Sequence, residues 1–308
     1  GLYLSPWDRN ANCYSDPAAY DDFYLEQLAE LCTGYGPLTE LWFDGAGSQG
    51  RSYDWARIAE LVSATQPDAM VFNMGRPTIR WVGNEDGLAE DPVQYVVAST
   101  KLDNYTTVTV DLAEEHWLPP ECDVSLRRGW FFHPDDEPKS LEHLLGIHYR
   151  SIGLGAGLLL NLPPDTEGRI PDQDVARVRE WRAELDRRFA DPVPAEREVD
   201  GEAVRLRFAR PIRLDHLELT EDIRAGQRIL GHRVCLSDGT EVAAGQSVGV
   251  RRMHVLDPVT TDELVVWVSD ADGRLVPEAL SGATGFATGH STPPVIPTAY
   301  RAPTVAPD

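Results

Sequence analysis

Long apolar runs are missing from this 308-residue chain, and no stretch reaches the roughly 18 to 20 residues that a membrane-crossing helix needs. No charged-then-apolar leader opens it, and the first residue is Gly1, not methionine, so the natural beginning is expected to lie upstream. Cysteine is scarce. Cys13, Cys32, Cys122 and Cys235 form no CxxC pair and have no companion histidines at metal-ligand spacing, so neither a zinc site nor a disulfide framework is indicated and buried thiols are expected. Basic charge is also short: 28 Lys and Arg face 50 Asp and Glu, a formal net charge of -22 at pH 7. Such a field repels phosphate backbones and anionic lipid, which counts against nucleic acid and membrane as partners and leaves neutral sugars compatible. There is no internal repeat. What remains is 42% hydrophobic and 25% charged, ordinary globular material for one large domain and a smaller one.

The first part of the chain has a βαβ rhythm. Gly1 to Ser5 reads as a short buried strand, and Asp16-Pro17 is a helix cap with proline at the first helical position. Tyr20, Tyr24, Leu28 and Leu31 then keep helical spacing up to Gly34. Thr39 to Phe43 is strand, Asp54 caps a helix carrying Trp55, Ile58 and Val62, and Met70 to Asn73 is strand again. From Met74 to about Asp103 no period is visible. Tyr105 to Leu112 and Gly129 to His133 are candidate strands; Leu141, Leu144, His148 and Ile152 form a helical stripe. Leu158 to Asn161 reads as a buried strand, and Val175, Val178, Leu185 and Phe189 as a last helical stripe. Beyond Ala190 the period changes to that of strands, with Val204, Leu206 and Phe208 alternating with arginines, an Asp238-Gly239 turn and a strand over Leu264 to Val268. Residues 197–285 are therefore expected to form an antiparallel β-sandwich after an α/β half of residues 1–190. The proline-rich tail 291–308 is expected to be extended and disordered.

Two carboxylates draw attention. Asp44 ends the apolar run Leu41-Trp42-Phe43, with Gly45 behind it, and Glu85 follows 41 positions later in Arg80-Trp81-Val82-Gly83-Asn84-Glu85. Alternating strands and helices, in a barrel or an open sheet, place functional groups at the carboxyl ends of strands. Trp42 shares a strand face with Asp44, and an indole beside a carboxylate is a common sugar platform. Taken alone, Asp44 reads more readily as an Asp-Gly turn and Glu85 as a solvated loop acid, and Trp130 equally well as core.

Five ordered motifs over residues 1 to about 170 resemble glycoside hydrolase family 29, the α-L-fucosidases, and in particular its branch acting on α-1,3- and α-1,4-linked fucose. They are Tyr3 to Arg9, Glu40 to Ala46, Arg80 to Glu85, Glu121 to Ser125 continuing into Gly129 to His133, and Leu158 to Asp165. The resemblance implies a TIM-like (β/α) barrel, incomplete at its N-terminus, followed by a C-terminal β-sandwich. It implies a retaining exo-hydrolase of terminal α-L-fucose on oligosaccharides or glycoconjugates, with Asp44 as nucleophile, Glu85 as acid/base, and Trp42, Arg80, Trp81 and Trp130 at the substrate. No metal or other cofactor is expected. About two βα units carrying hydroxyl-binding histidines lack counterparts here, which makes the chain an expected fragment of a longer protein, whose secretion or periplasmic location would follow from the resemblance alone. An inactive or merely carbohydrate-binding remnant, or another retaining glycosidase, stands as the alternative.

Overall fold

A computed structural model describes residues 1–44, 51–101 and 109–296. Gly45 and Ala46, the start of the candidate strand at Tyr105, and the tail beyond Ile296 lie outside the described residues. The chain divides into two compact units, Gly1–Gly83 with Val96–Pro120, and Asn84–Tyr95 with Glu121–Asp308.

The first unit carries β1 (Leu2–Leu4), α1 (Pro17–Gly34), β2 (Glu40–Phe43), α2 (Trp55–Thr65), β3 (Met70–Phe72), β4 (Arg80–Trp81), β5 (Val96–Lys101) and β6 (Thr109–Trp117). Strands β1, β2 and β3 lie side by side in that order, all parallel. Both helices start as their sequences predict. Asp16 accepts from the amides of Ala18 and Ala19 at 3.1 and 3.2 Å, and Asp54 from that of Arg57 at 3.1 Å, satisfying donors that a helix start leaves open. The buried stripe of α1 is Tyr20, Tyr24, Leu28 and Cys32. Cys32 thus takes the place expected for Leu31, because steps of four, rather than a final step of three, follow the inward face here. The stripe packs with Leu41, Phe43, Ile58, Val62 and Val71, each large apolar side chain contributing roughly 1.5–3 kcal/mol. β1 is not buried as expected: Tyr3 is 54% exposed, because helices cover one face of this edge strand while Tyr3 points from the other. β5 falls in the span without a period. Its register is dictated by antiparallel pairing with β6, Val96 opposite Trp117, rather than by alternation of its own.

The second unit begins with β7 (Pro120–Ser125), α3 (Leu141–Arg150), β8 (Gly157–Asn161) and α4 (Asp172–Arg188). β7 and β8 are parallel, Cys122 opposite Leu158 and Ser125 opposite Asn161. Val124, Leu126, Leu144 and Ile147 form the core between strand and helices. β8 is only partly buried, with Leu159 40% exposed, so an apolar run read as fully inward has one face outward. Gly129 to His133 is a loop and not a strand. Its carbonyls are taken by side chains, Ser125 Oγ donating to Gly129 O at 2.7 Å and Arg127 to His133 O at 3.3 Å, which leaves no ladder to join.

The same unit continues through β9 (Val193–Pro194), β10 (Glu196–Asp200), β11 (Ala203–Glu221), β12 (Gly231–Leu236), β13 (Glu241–Gly245), β14 (Arg252–Ser269) and β15 (Leu280–Phe286). They form a seven-stranded antiparallel sheet in the order β13-β12-β14-β11-β15-β9, with β10 on β11. The expected turn is present, Gly239 taking φ +89° between β12 and β13. Alternate residues Val204, Leu206, Phe208, Leu264, Val266 and Val268 face one core. The chain is mixed α/β with a large antiparallel sheet. Cys32, Cys122 and Cys235 are buried and Cys13 half-buried, and none of the four is in a disulfide.

Candidate active site

In the first unit the register of the three parallel strands sets Tyr3, Trp42 and Phe72 side by side. Because neighbouring strand residues alternate faces, these three rings leave the helix-covered side to Leu2, Leu4, Leu41 and Phe43. Trp42 lies between them, 4.0 Å from Phe72 at 10° and 5.6 Å from Tyr3 at 25° between planes. Asp44 leaves β2 half-buried immediately beyond this stack. Tyr3 Oη donates to Asp44 Oδ2 at 2.6 Å. Loss of water around the phenol, and then the adjacent Asp44 carboxylate, push the Tyr3 pKa up, so the proton of this short bond stays on the tyrosine. The backbone beneath is held by tyrosines: Tyr24 donates to Leu4 O at 3.2 Å, and Tyr20 and Tyr53 both reach Pro6 O.

β3 ends on Asn73, buried and left-handed at φ +61°. Its amide donates to Ile79 O at 3.0 Å and its Oδ1 accepts from Trp81 N at 3.1 Å, bringing Arg80 and Trp81 back beside the end of β3. Arg80 is half-buried, its amide on Pro119 O at 3.0 Å, and Trp81 is 6% exposed. Tyr3 and Asn73 received no role from the sequence. Alternation in Leu2-Tyr3-Leu4 could have flagged Tyr3; the left-handed turn at Asn73 had no signal beyond the residue type.

Glu85 and Trp130 belong to the second unit, where both segments gather at the carboxyl ends of β7 and β8. Asn84 builds the Glu85 turn, its Oδ1 accepting from Asp86 N at 3.1 Å and its Nδ2 donating to Leu88 O at 2.8 Å. Asp86 bridges to Val124 of β7. Gly87, at φ +74°, lies where a Cβ would come within 2.9 Å of Val124 Cγ1. The Trp130 loop is tied to the next residue of the same strand: Asn161 Nδ2 donates to Ser125 Oγ at 3.0 Å and to Trp130 O at 3.1 Å. Arg127, with its side chain fully buried, pairs with Asp174 at 2.8 Å and also reaches the carbonyls of His133 and Asp136. Lys139 donates to Ser125 O and Arg127 O at 2.6 and 2.9 Å, and burial pushes its ammonium down to about 8. Trp130 itself is half-buried, and the neighbouring Phe131 is 81% exposed. The structure thus groups Trp42, Asp44, Arg80 and Trp81 in one unit and Glu85 with Trp130 in the other.

Among the described residues no cluster of three or more His, Cys, Asp or Glu could hold a metal ion, and no helix is long and apolar enough to cross a membrane. His148, 8% exposed, packs against Trp181, Phe189 and Tyr149 and is kept neutral by burial.

A half-buried carboxylate under a tyrosine hydroxyl and beside an indole suits a sugar-handling enzyme, and comparison with known proteins narrows the class. The family model described as alpha-L-fucosidase matches residues 2–185. The chain belongs to the alpha-L-fucosidase family. Alpha-L-fucosidase 1 of Arabidopsis thaliana is 31% identical over 327 residues, covering 87% of this chain and 65% of the plant protein. A solved glycoside hydrolase 29 family member from an unknown rumen bacterium superposes with a TM-score of 0.79 at 26% identity, over 95% of this chain and 58% of that protein. A Ruminococcus gnavus family 29 fucosidase in complex with fucose shares the fold, with a TM-score of 0.76 at 23% identity over 94% of this chain and 72% of that one. The chain therefore spans a little under two thirds of the plant fucosidase and less of the rumen protein.

Proposed function

We propose that this chain carries the two catalytic carboxylates of a retaining exo-α-L-fucosidase that removes terminal fucose, α-1,3- or α-1,4-linked, from oligosaccharides or glycoconjugates. The observation that carries the reading is Asp44: a carboxylate at the end of a parallel strand, gripped at 2.6 Å by Tyr3 and flanked by Trp42, in a chain of the alpha-L-fucosidase family. We further infer a domain division of 1–190, an incomplete (β/α) barrel, 197–285, a β-sandwich, and a tail 291–308. The barrel reading rests on the parallel β1-β2-β3 and β7-β8 arrays, with Asp44 and the Glu85 and Trp130 segments all at strand carboxyl ends.

In this reading Asp44 attacks C1 of the fucosyl unit while Glu85 gives its proton to the departing glycosidic oxygen, so that one C–O bond forms as the other breaks. The resulting ester on Asp44 is hydrolysed by water, from which Glu85, now ionised, takes a proton; two inversions give net retention. A retaining pair needs its carboxyl groups about 5–5.5 Å apart. Tyr3 holds one Asp44 oxygen and fixes the attacking group's direction, which is how positioning lowers a barrier. Trp42, Trp81 and Trp130 pack against the sugar and its methyl group, Trp42 by its indole edge because Phe72 and Tyr3 take its faces, and Arg80 contacts a hydroxyl or steadies Asp44.

Kinetics with aryl α-L-fucosides of graded leaving-group pKa test this. Asp44→Gly is expected to cost at least about 10⁴-fold in kcat with every substrate. Glu85→Ala is expected to lose most with poor leaving groups, by on the order of 10²–10⁴-fold, and little with the best. Wild-type rates from Asp44→Gly would end the nucleophile assignment.

A further inference from the structure

The segment from Asn84 to Tyr95 contains no helix or extended strand, yet it carries Glu85. Its placement is therefore set by a few single anchors, most of them side chains. Beyond the Asn84 turn, the Ala89 amide donates to Arg150 O at 2.8 Å, and from Asp91 onwards most anchors come from residues far along the chain in the antiparallel sheet region. Arg252, at the start of β14, grips Asp91 with both guanidinium nitrogens, at 2.6 and 2.9 Å. This two-point pairing holds the Asp91 carboxyl below its ordinary range. Gln227, in the loop before β12, imitates a strand neighbour: its Oε1 accepts from Tyr95 N at 2.9 Å and its Nε2 donates to Val93 O at 2.9 Å. The Tyr95 phenol, 1% exposed as a residue, donates to Gly155 O at 2.7 Å and accepts from Val250 N at 3.1 Å. Its slot exists because Gly155 and Gly249 have no side chain; a Cβ at either would lie 2.6 or 2.7 Å from the hydroxyl.

We propose that Gln227 and Arg252 are positioning residues for Glu85, the antiparallel region acting as a clamp that holds the acid-bearing segment in register with β7. A structureless segment has a soft backbone, and a misplacement of about 1 Å in a proton donor can cost on the order of a hundredfold in rate. Here the segment is fixed by Asn84 and the Asp86 bridge at one end and by the two clamping residues at the other. Val93 and Tyr95, on either side of the Gln227 amide, are buried, so the Gln227 arm is shielded from competing water, whereas Arg252 is buried but its partner Asp91 is open to solvent. The inference rests on the acid/base reading of Glu85 proposed above.

The test is a double-mutant cycle in the full-length protein, with Gln227→Ala and Arg252→Lys made separately in the native and in the Glu85→Ala backgrounds. In the native background each is expected to lower kcat on poor-leaving-group fucosides by on the order of tenfold or more, with KM little changed and with little loss on the best leaving group. In the Glu85→Ala background the same substitutions are expected to cost nothing further, because the group they aim is gone. Arg252→Lys keeps the charge and removes the fork, and thermal unfolding identifies folded variants; Gln227→Ala, a neutral change, carries the test if Arg252→Lys does not fold. Equal losses in both backgrounds, or equal losses across leaving groups, overturn the clamp while Glu85→Ala still shows its leaving-group dependence. If Glu85→Ala itself loses activity uniformly, the acid assignment falls, and the positioning inference falls with it.

Discussion

Asp44 and Glu85 are presented by opposite means. Asp44 follows a regular strand, and the neighbours that matter to it, Tyr3 and Trp42, arrive through parallel register. Glu85 sits in an irregular turn whose shape depends on Asn84 and on the bridge from Asp86 to Val124, with further anchors from Gln227 and Arg252. A carboxylate on a sheet is held by many backbone hydrogen bonds, each a small share of the whole. One on a turn is held by a few side chains, so single substitutions reach it. That difference can be attacked experimentally.

The largest effect is expected at the Trp130 loop, which hangs from the same strand end as the Glu85 turn. Arg127→Met leaves Asp174 as an uncompensated buried charge and releases the carbonyls of His133 and Asp136. Denaturant unfolding is expected to register a loss of about 3–5 kcal/mol, and the double change with Asp174→Leu to recover much of it. A small loss from the single change would mean that this loop is held by backbone after all, and the contrast would weaken. On the other side, Tyr3→Phe removes one exposed hydrogen bond to Asp44, and kcat/KM for aryl fucoside is expected to drop about tenfold or more while the protein still unfolds cooperatively within a few degrees of the native melting temperature. An unchanged rate would show that β2 alone aims Asp44.

Acid sensitivity is the least site-specific probe. Burial, with the Arg251 charge adding to it, depresses His148 to about 4, and burial likewise lowers His232 and His254, whose Nε2 atoms meet at 2.8 Å. All three lie in the second unit. Their folded pKa values lie below the ordinary value of about 6.5, so the unfolded chain binds protons that the folded one refuses. Stability is then full above about pH 6.5 and falls as pH drops towards 4, by roughly 1 kcal/mol per pH unit for each group. Thermal melts between pH 7 and 4 are expected to show this loss, and hydrogen exchange to place it in the second unit; loss confined to the first unit would contradict the assignment.

Much of the first unit was legible in the sequence because its signals are local. Asp16-Pro17 and Asp54 mark helix starts through hydrogen bonds within three residues, and Leu41-Trp42-Phe43 alternates as a half-buried strand does. The misreadings share one cause. β5 pairs through β6, the Gly129 to His133 run is unstranded by Ser125, Arg127 and Asn161, and β8 exposes Leu159 because one of its faces is uncovered. In each case contacts made or missing in the folded chain outweighed local propensity. The same holds for the buried charges of α4: Asp174, paired with Arg127, and Arg188, paired with Glu184, are buried completely or nearly so, while the apolar stripe of the helix stays half-buried.

The amino-acid sequence by itself marked the candidate residues and the layout: two carboxylates in aromatic settings, ordered motifs, and the switch of period from helix to strand near residue 190. Tertiary structure alone decided how those residues are held. Tyr3 reaches Asp44 across 41 positions, Gln227 reaches Tyr95 across 132, and Arg252 reaches Asp91 across 161. Hydrogen bonds act over about 3 Å of space and carry no trace of sequence separation, so a pattern read along the chain can mark a carboxylate but not the groups that aim it.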